Sequence, residues 1–133
     1  MKKTIRTAIL IAFAPLLMAM QCDDDVDSTG FETSYLIQND SGADLFLVSA
    51  GSGFTEIKST ASFPLGSDLN TTTVPIPPSA SGTIGDIELF ERVNGNYIRV
   101  YQQAPLDDEL WEFREPSTNR YEYLFRITDD LLE

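Results

Sequence analysis

The sequence predicts an all-β fold: an antiparallel β-sandwich or small barrel of about seven short strands, preceded by an export segment. Three observations carry this expectation. Between residues 31 and 133, short apolar or alternating runs are separated by clusters of Asn, Asp, Ser, Gly and Pro. No stretch of that region sustains the apolar period of a long helix. Asn94-Gly95 sits between two alternating runs, the strongest short-range signal for a hairpin turn. There is no internal repeat, so residues 31–133 are expected to fold as a single domain.

Residues 35–38 are the first apolar run. Asn39-Asp40-Ser41-Gly42 is a turn set with Gly last, and residues 45–48 answer it, which predicts a hairpin. Residues 54–58 read as a weaker strand and residues 59–70 as a polar loop. Residues 71–76 are β-branched and predict a strand. Pro77-Pro78 stops it, which suits an edge or an exit from the sheet. Thr83 and Ile84 are expected to begin the next pairing.

Residues 87–102 give the clearest prediction. A type I′ turn at Asn94-Gly95 pairs Val93 with Asn96 and so fixes the register. Counting outward pairs Glu91 with Ile98, Leu89 with Val100, and Ile87 with Gln102 on a mostly aliphatic face that should meet the core. The other face pairs Arg92 with Tyr97, Phe90 with Arg99, and Glu88 with Tyr101. Two cation–aromatic pairs side by side would each contribute about 0.5–1 kcal/mol. A register slip of one residue would turn Arg92 and Arg99 inward, so the register is well determined.

Residues 104–115 are ambiguous between a short helix and an irregular edge segment. Pro105 ahead of Asp107, Asp108 and Glu109 suits a helix start, with acids at the positive dipole end. Trp111 and Phe113 suit the edge. Pro116-Ser117-Thr118-Asn119 is a turn. Residues 121–128 then alternate, with Tyr121, Tyr123, Phe125 and Ile127 on one face, and predict a central last strand. Residues 129–133 are expected to make one helical turn that docks Leu131 and Leu132.

The N-terminus predicts export. Lys2, Lys3 and Arg6 precede an unbroken apolar run from residue 8 to residue 20. As a helix that run reaches about 20 Å, short of the roughly 30 Å hydrocarbon core, and it contains Pro15. A cleaved signal peptide over residues 1–21 fits better than a spanning anchor. Cys22, the single cysteine, stands at the boundary and is followed by Asp23, Asp24, Asp25 and Asp27.

This combination resembles the start of a bacterial lipoprotein, with Cys22 at the acylated position of the lipobox. Ala19 holds the usual Leu position, and Met20 and Gln21 stand where the family has small residues. The resemblance implies lipidation of Cys22 with palmitate-like chains. Each buried CH₂ contributes about 0.8 kcal/mol, so several chains together hold permanently where one holds reversibly. Residues 22–30 then form an acidic tether. In Bacteroidota-type lipoproteins an acidic cluster after the Cys resembles a signal for surface export, and Asp23, Asp24, Asp25 and Asp27 match it in kind. In other bacteria an Asp after the Cys resembles an inner-membrane retention signal. Asp27-Ser28-Thr29 resembles a short O-glycosylation motif of the same group. The layout of turns and strands resembles small Bacteroidota lipoproteins of immunoglobulin-like type, a likeness that carries no functional residues. The implied localisation is the outer membrane, surface-exposed, with a periplasm-facing position as the alternative.

Composition narrows the function. From Cys22 onward six Lys and Arg remain against 21 Asp and Glu, a side-chain balance of −15. Such a chain does not bind nucleic acid through its phosphates, and anionic membrane surfaces repel it. Attachment to the membrane therefore falls to the acyl chains. With no His and no Cys after position 22, His-based triads, Cys nucleophiles and ordinary zinc or copper sites are excluded. Asp23, Asp25 and Asp27 alternate as in a calcium loop, but Ser28 and Ser34 occupy the positions that need Gly and Glu. No cofactor or metal is expected.

The candidate binding face is the aromatic and arginine side of the 87–102 hairpin: Phe90, Arg92, Tyr97, Arg99 and Tyr101. Its bland counterpart is a sheet face covered by a loop or by the Trp111 segment. The leading expectation is a non-catalytic binding or accessory module that engages a protein or glycan partner. The acidic charge supports an alternative, an inhibitor or immunity-type protein for a basic envelope-directed enzyme or toxin. A small carboxylate hydrolase is the third reading. It would need two carboxyls about 5–10 Å apart across a cleft, and no acidic pair in the sequence is singled out for that.

Overall fold

The computed structural model describes residues 30–49 and 53–133. The signal segment, Cys22 and the tether aspartates Asp23, Asp24, Asp25 and Asp27 lie outside the described residues. Among the described residues eight strands form two four-stranded sheets, a β-sandwich not closed into a barrel. The first sheet has the order β4-β1-β8-β7 and the second β3-β2-β5-β6. The strands are β1 (Phe31–Asn39), β2 (Leu45–Ser49), β3 (Gly53–Ile57), β4 (Ser62–Asn70), β5 (Ile87–Val93), β6 (Asn96–Gln103), β7 (Trp111–Ser117) and β8 (Arg120–Ile127). All neighbours are antiparallel except β1 and β8, which run parallel from Glu32–Arg120 to Asn39–Ile127.

Alternation along each strand builds the core. The first sheet turns Tyr35, Ile37, Trp111, Phe125 and Ile127 inward; the second turns Leu45, Leu47, Ile57, Ile87, Leu89 and Val100. Trp111 packs edge-on to Tyr35 at 6.4 Å and tilted against Phe125 at 5.3 Å. Each such pair adds about 0.5–1.5 kcal/mol beyond area burial. Its indole N–H donates to Gln103 Oε1 at 3.2 Å, so the largest ring is buried without an orphaned donor. The last strand is central, and residues Asp129–Leu131 form a 3₁₀ turn whose Leu131 and Leu132 dock on the core, both as expected.

Four expectations about residues 39–87 are corrected. Residues 39–42 do not make a hairpin: β1 and β2 lie in different sheets. The Asn39 side chain is fully buried and donates to Ala43 O and Ile57 O. Its carbonyl accepts from Ser41 N–H and Oγ–H. This node turns the chain across the sandwich instead of back along the same sheet. Residues 59–70 are not a loop, because Ser62–Asn70 is edge strand β4. An edge tolerates Pro64, which lacks a ladder donor, and Gly66. Leu65 is bulged out of the pairing between Tyr35–Gly66 and Leu36–Pro64. Residues 71–76 are not a strand. They form a loop pinned by side chains: Tyr121 Oη–H donates to Thr73 O, Asn70 Nδ2–H to Val74 O, and Ile76 N–H to Thr33 Oγ1. Pro78–Ala80 is a short 3₁₀ turn, and pairing resumes at Ile87 rather than at Thr83.

Candidate functional site: an aromatic sheet face

The β5–β6 hairpin turns at Asn94-Gly95, with φ of 53° and 84°. That is the left-handed backbone a type I′ turn requires. Its register runs as expected through Val93–Asn96, Arg92–Tyr97, Glu91–Ile98 and Phe90–Arg99. A bulge then shifts it, so that Leu89 pairs with Tyr101, Glu88 with Gln102 and Ile87 with Gln103. The bulge turns Tyr101 toward the core, where its ring lies 5.4 Å from Phe125 and its hydroxyl accepts from Gln103 Nε2. Burial pushes the Tyr101 phenol above its ordinary value. Tyr101 therefore does not belong to the outer face, which corrects the expectation.

Phe90, Arg92, Tyr97 and Arg99 do share the outer face of the second sheet, and two further rings join them from β2 and β3. Phe46 is the register partner of Phe90. Phe54 stacks on Tyr97 at 3.8 Å with 8° between planes and meets Phe90 edge-on at 5.2 Å. Phe46 meets Tyr97 edge-on at 5.1 Å. The rings hold one another rather than lying under a loop or under the Trp111 segment. They stay open to solvent, Phe54 at 43% and Tyr97 at 38%. Sequence reading missed Phe46 and Phe54, although the alternations Phe46-Leu47-Val48 and Phe54-Thr55-Glu56 contained the signal.

The cations differ from each other. The Arg92 guanidinium lies 5.9 Å from the Tyr97 ring centroid. Arg99 instead bonds Glu88 at 3.2 Å, so the second cation–aromatic pair expected with Phe90 is an ion pair. Beside the rings, Ala43, Asp44, Phe46, Glu56, Glu91 and Arg92 line a recess of about 320 Å³.

Other polar clusters have structural partners. Asp107 caps the 3₁₀ turn Asp108–Leu110 by accepting from Glu109 N–H. Asp108 accepts from the N–H and hydroxyl of Ser79. Burial raises the Asp68 carboxyl, but hydrogen bonds from Ser81, Thr83, Tyr35 and the Gly82 N–H outweigh it and hold the group below the usual range. Burial pushes the Tyr35 phenol up in turn. This node ties the 76–83 segment to β4 and β1. On the outer face of the first sheet, Arg126 bonds both Asp40 and Glu112, and Arg114 bonds Glu112. These contacts hold both carboxyls below their ordinary values. Among the described residues no group of three or more His, Cys, Asp or Glu is placed to hold a metal ion. Among them, too, no helix is long and apolar enough to cross a membrane. No protein-family model, curated protein or solved structure matches the chain.

Proposed function

We propose that this chain is a lipid-anchored envelope protein whose β-sandwich is a non-catalytic binding module, with the outer face of the second sheet as its docking surface. The observation that carries the reading is the exposed stack of Phe54 on Tyr97, framed by Phe46, Phe90 and Arg92. A sandwich needs only its inner faces to fold. Four rings held together on an outer face present rigid apolar area at little entropic cost, the composition of interface hot spots. Cys22 and the acidic stretch after it supply the anchor and tether in this reading.

Two arms test it. Labelling cells that express the full chain with an alkyne fatty acid reads the anchor, with label expected on the wild type and none on Cys22→Ser. A photo-crosslinking amino acid at position 54 or 97 reads the face, with the same probe at position 115 as control. Discrete adducts from 54 and 97, lost in the control, support the docking surface. An identical adduct pattern from all three positions removes it.

A further inference from the structure

The recess beside the rings narrows the class of partner. Asp44 and Glu56 line it beside Phe46, which gives it an aromatic wall; Glu91 lines it too, but as the register partner of buried Leu45 its side chain leaves the strand on the opposite face of the sheet. Among the described residues neither Asp44 nor Glu56 is in an ion pair, though Asp44 accepts from Ser59 N–H at 2.9 Å. The one cation in the lining, Arg92, is turned over Tyr97 and is in no ion pair among those residues. Acids alone would be a solvated rim, and rings alone would accept any apolar surface. Together they favour a cation next to apolar area, because a guanidinium gains from both carboxylates and ring faces.

We infer that the docking face takes a basic protein segment, with one Arg or Lys side chain of the partner seated in the recess between Asp44, Glu56 and Phe46. This rests on the reading of the outer face as a docking surface. Charge complementarity selects the occupant. From Gly30 onward there are six Lys and Arg against 17 Asp and Glu, so the long-range field attracts a basic partner before contact is made. A second copy of this chain would bring the same carboxylates against themselves. A neutral glycan would stack on the rings and leave the acids without counter-charge.

The test uses the full chain in non-ionic detergent micelles and follows backbone amide shifts. The probes are a short arginine–leucine peptide, the same peptide with citrulline for arginine, and a neutral glucose oligomer. Citrulline keeps the shape and removes the charge. Shifts from the arginine peptide should centre on Asp44, Phe46, Glu56 and Tyr97 and should persist at about 0.5 M salt, where surface attraction is screened. Citrulline, or the pair Asp44→Asn and Glu56→Gln, should weaken binding about tenfold, the loss of two partly screened charge contacts. The equally neutralising pair Glu109→Gln and Glu115→Gln, away from the recess, should change it less than about twofold. Equal binding of the citrulline peptide, or shifts on this face from the sugar alone, would overturn the basic partner and leave the docking face standing. Arginine-peptide shifts scattered over the acidic surface, or no shift on this face from any probe, would overturn both.

Discussion

Phe54 and Tyr97 stand on opposite edge strands of the second sheet, yet their rings stack at 3.8 Å. Both side chains fold over the middle of the sheet, and Phe46 and Phe90 from the two central strands meet them edge-on. The cluster ties β3 to β6 without a backbone bond between them. A double-mutant cycle with Phe54→Ala and Tyr97→Ala should therefore show coupling of about 0.5–1.5 kcal/mol in urea unfolding. Additive losses would mean that the rings stand side by side without holding one another.

The hairpin that presents Tyr97 was legible because Asn94-Gly95 names its turn type, and turn type fixes register. The legibility stops at the bulge after Phe90. Val100 and Tyr101 are both large, so no Gly marks where the extra residue enters, and Tyr101 changes face unannounced. The last strand was legible from strict alternation between Tyr121 and Ile127. The first half was not. Inward Tyr35 and Ile37 followed by inward Leu45 and Leu47 suit a hairpin and a crossover between sheets equally well. What decides is the buried Asn39 carboxamide, a tertiary fact. Strand β4 was hidden by Pro64 and Gly66, residues that signal a loop in general and an edge strand here. Of the candidate face, the half on the hairpin was visible. Phe46 and Phe54 were missed because their neighbourhood depends on sheet order, which local pattern does not contain.

Asp68 predicts a pH dependence. Its carboxyl is held below the usual range in the fold, so the unfolded chain binds the proton more readily. Its contribution is fully present above the unfolded value near 4 and is lost as pH falls through the lower folded value. Unfolding free energy followed from pH 5.5 downward should fall less steeply in Asp68→Asn than in the wild type. Asp40 and Glu112 are depressed as well, but by exposed arginine contacts that salt screens. The difference between wild type and Asp68→Asn should therefore survive about 0.5 M salt, since hydroxyl donors are not screened. Equal slopes in the two proteins would count against the node.

Gly66 predicts a steric defect with a partial rescue. Its φ is +154°, and a Cβ there would stand 2.5 Å from Thr83 Cγ2. Gly66→Ala should cost about 1–3 kcal/mol from backbone strain and overlap combined. Thr83→Ser removes the offending methyl and keeps the hydroxyl that donates to Asp68. In the double variant the overlap is relieved and the strain remains, so stability should return only in part. Full recovery would mean that the φ carries no cost, and no recovery would mean that Thr83 is not the obstacle.

Asn39 predicts the largest loss and an inverted pH response. Its amide donates to Ala43 O at 2.9 Å and to Ile57 O at 3.0 Å, and its carbonyl accepts from Ser41 N–H at 3.1 Å and Oγ–H at 2.6 Å. The residue is fully buried, so Asn39→Ala takes the side-chain donor from Ile57 O and the acceptor from Ser41 N–H, while Ser41 Oγ–H at 3.2 Å still serves Ala43 O. Each unsatisfied group costs about 1–3 kcal/mol, and the sum is large for a domain of this size. Asn39→Asp should be worse at neutral pH, because a carboxylate would face two carbonyl oxygens. Burial and those oxygens would raise the new carboxyl above its unfolded value near 4. The stability tied to its protonated form is then present below that value and lost as pH rises through the folded one. Protonation restores one donor, so Asn39→Asp should gain stability on going from pH 7 toward pH 5, while Asn39→Ala does not follow it. Parallel pH profiles for the two variants would show that the crossover tolerates a charge at this position and that the buried carboxamide is not what turns the chain.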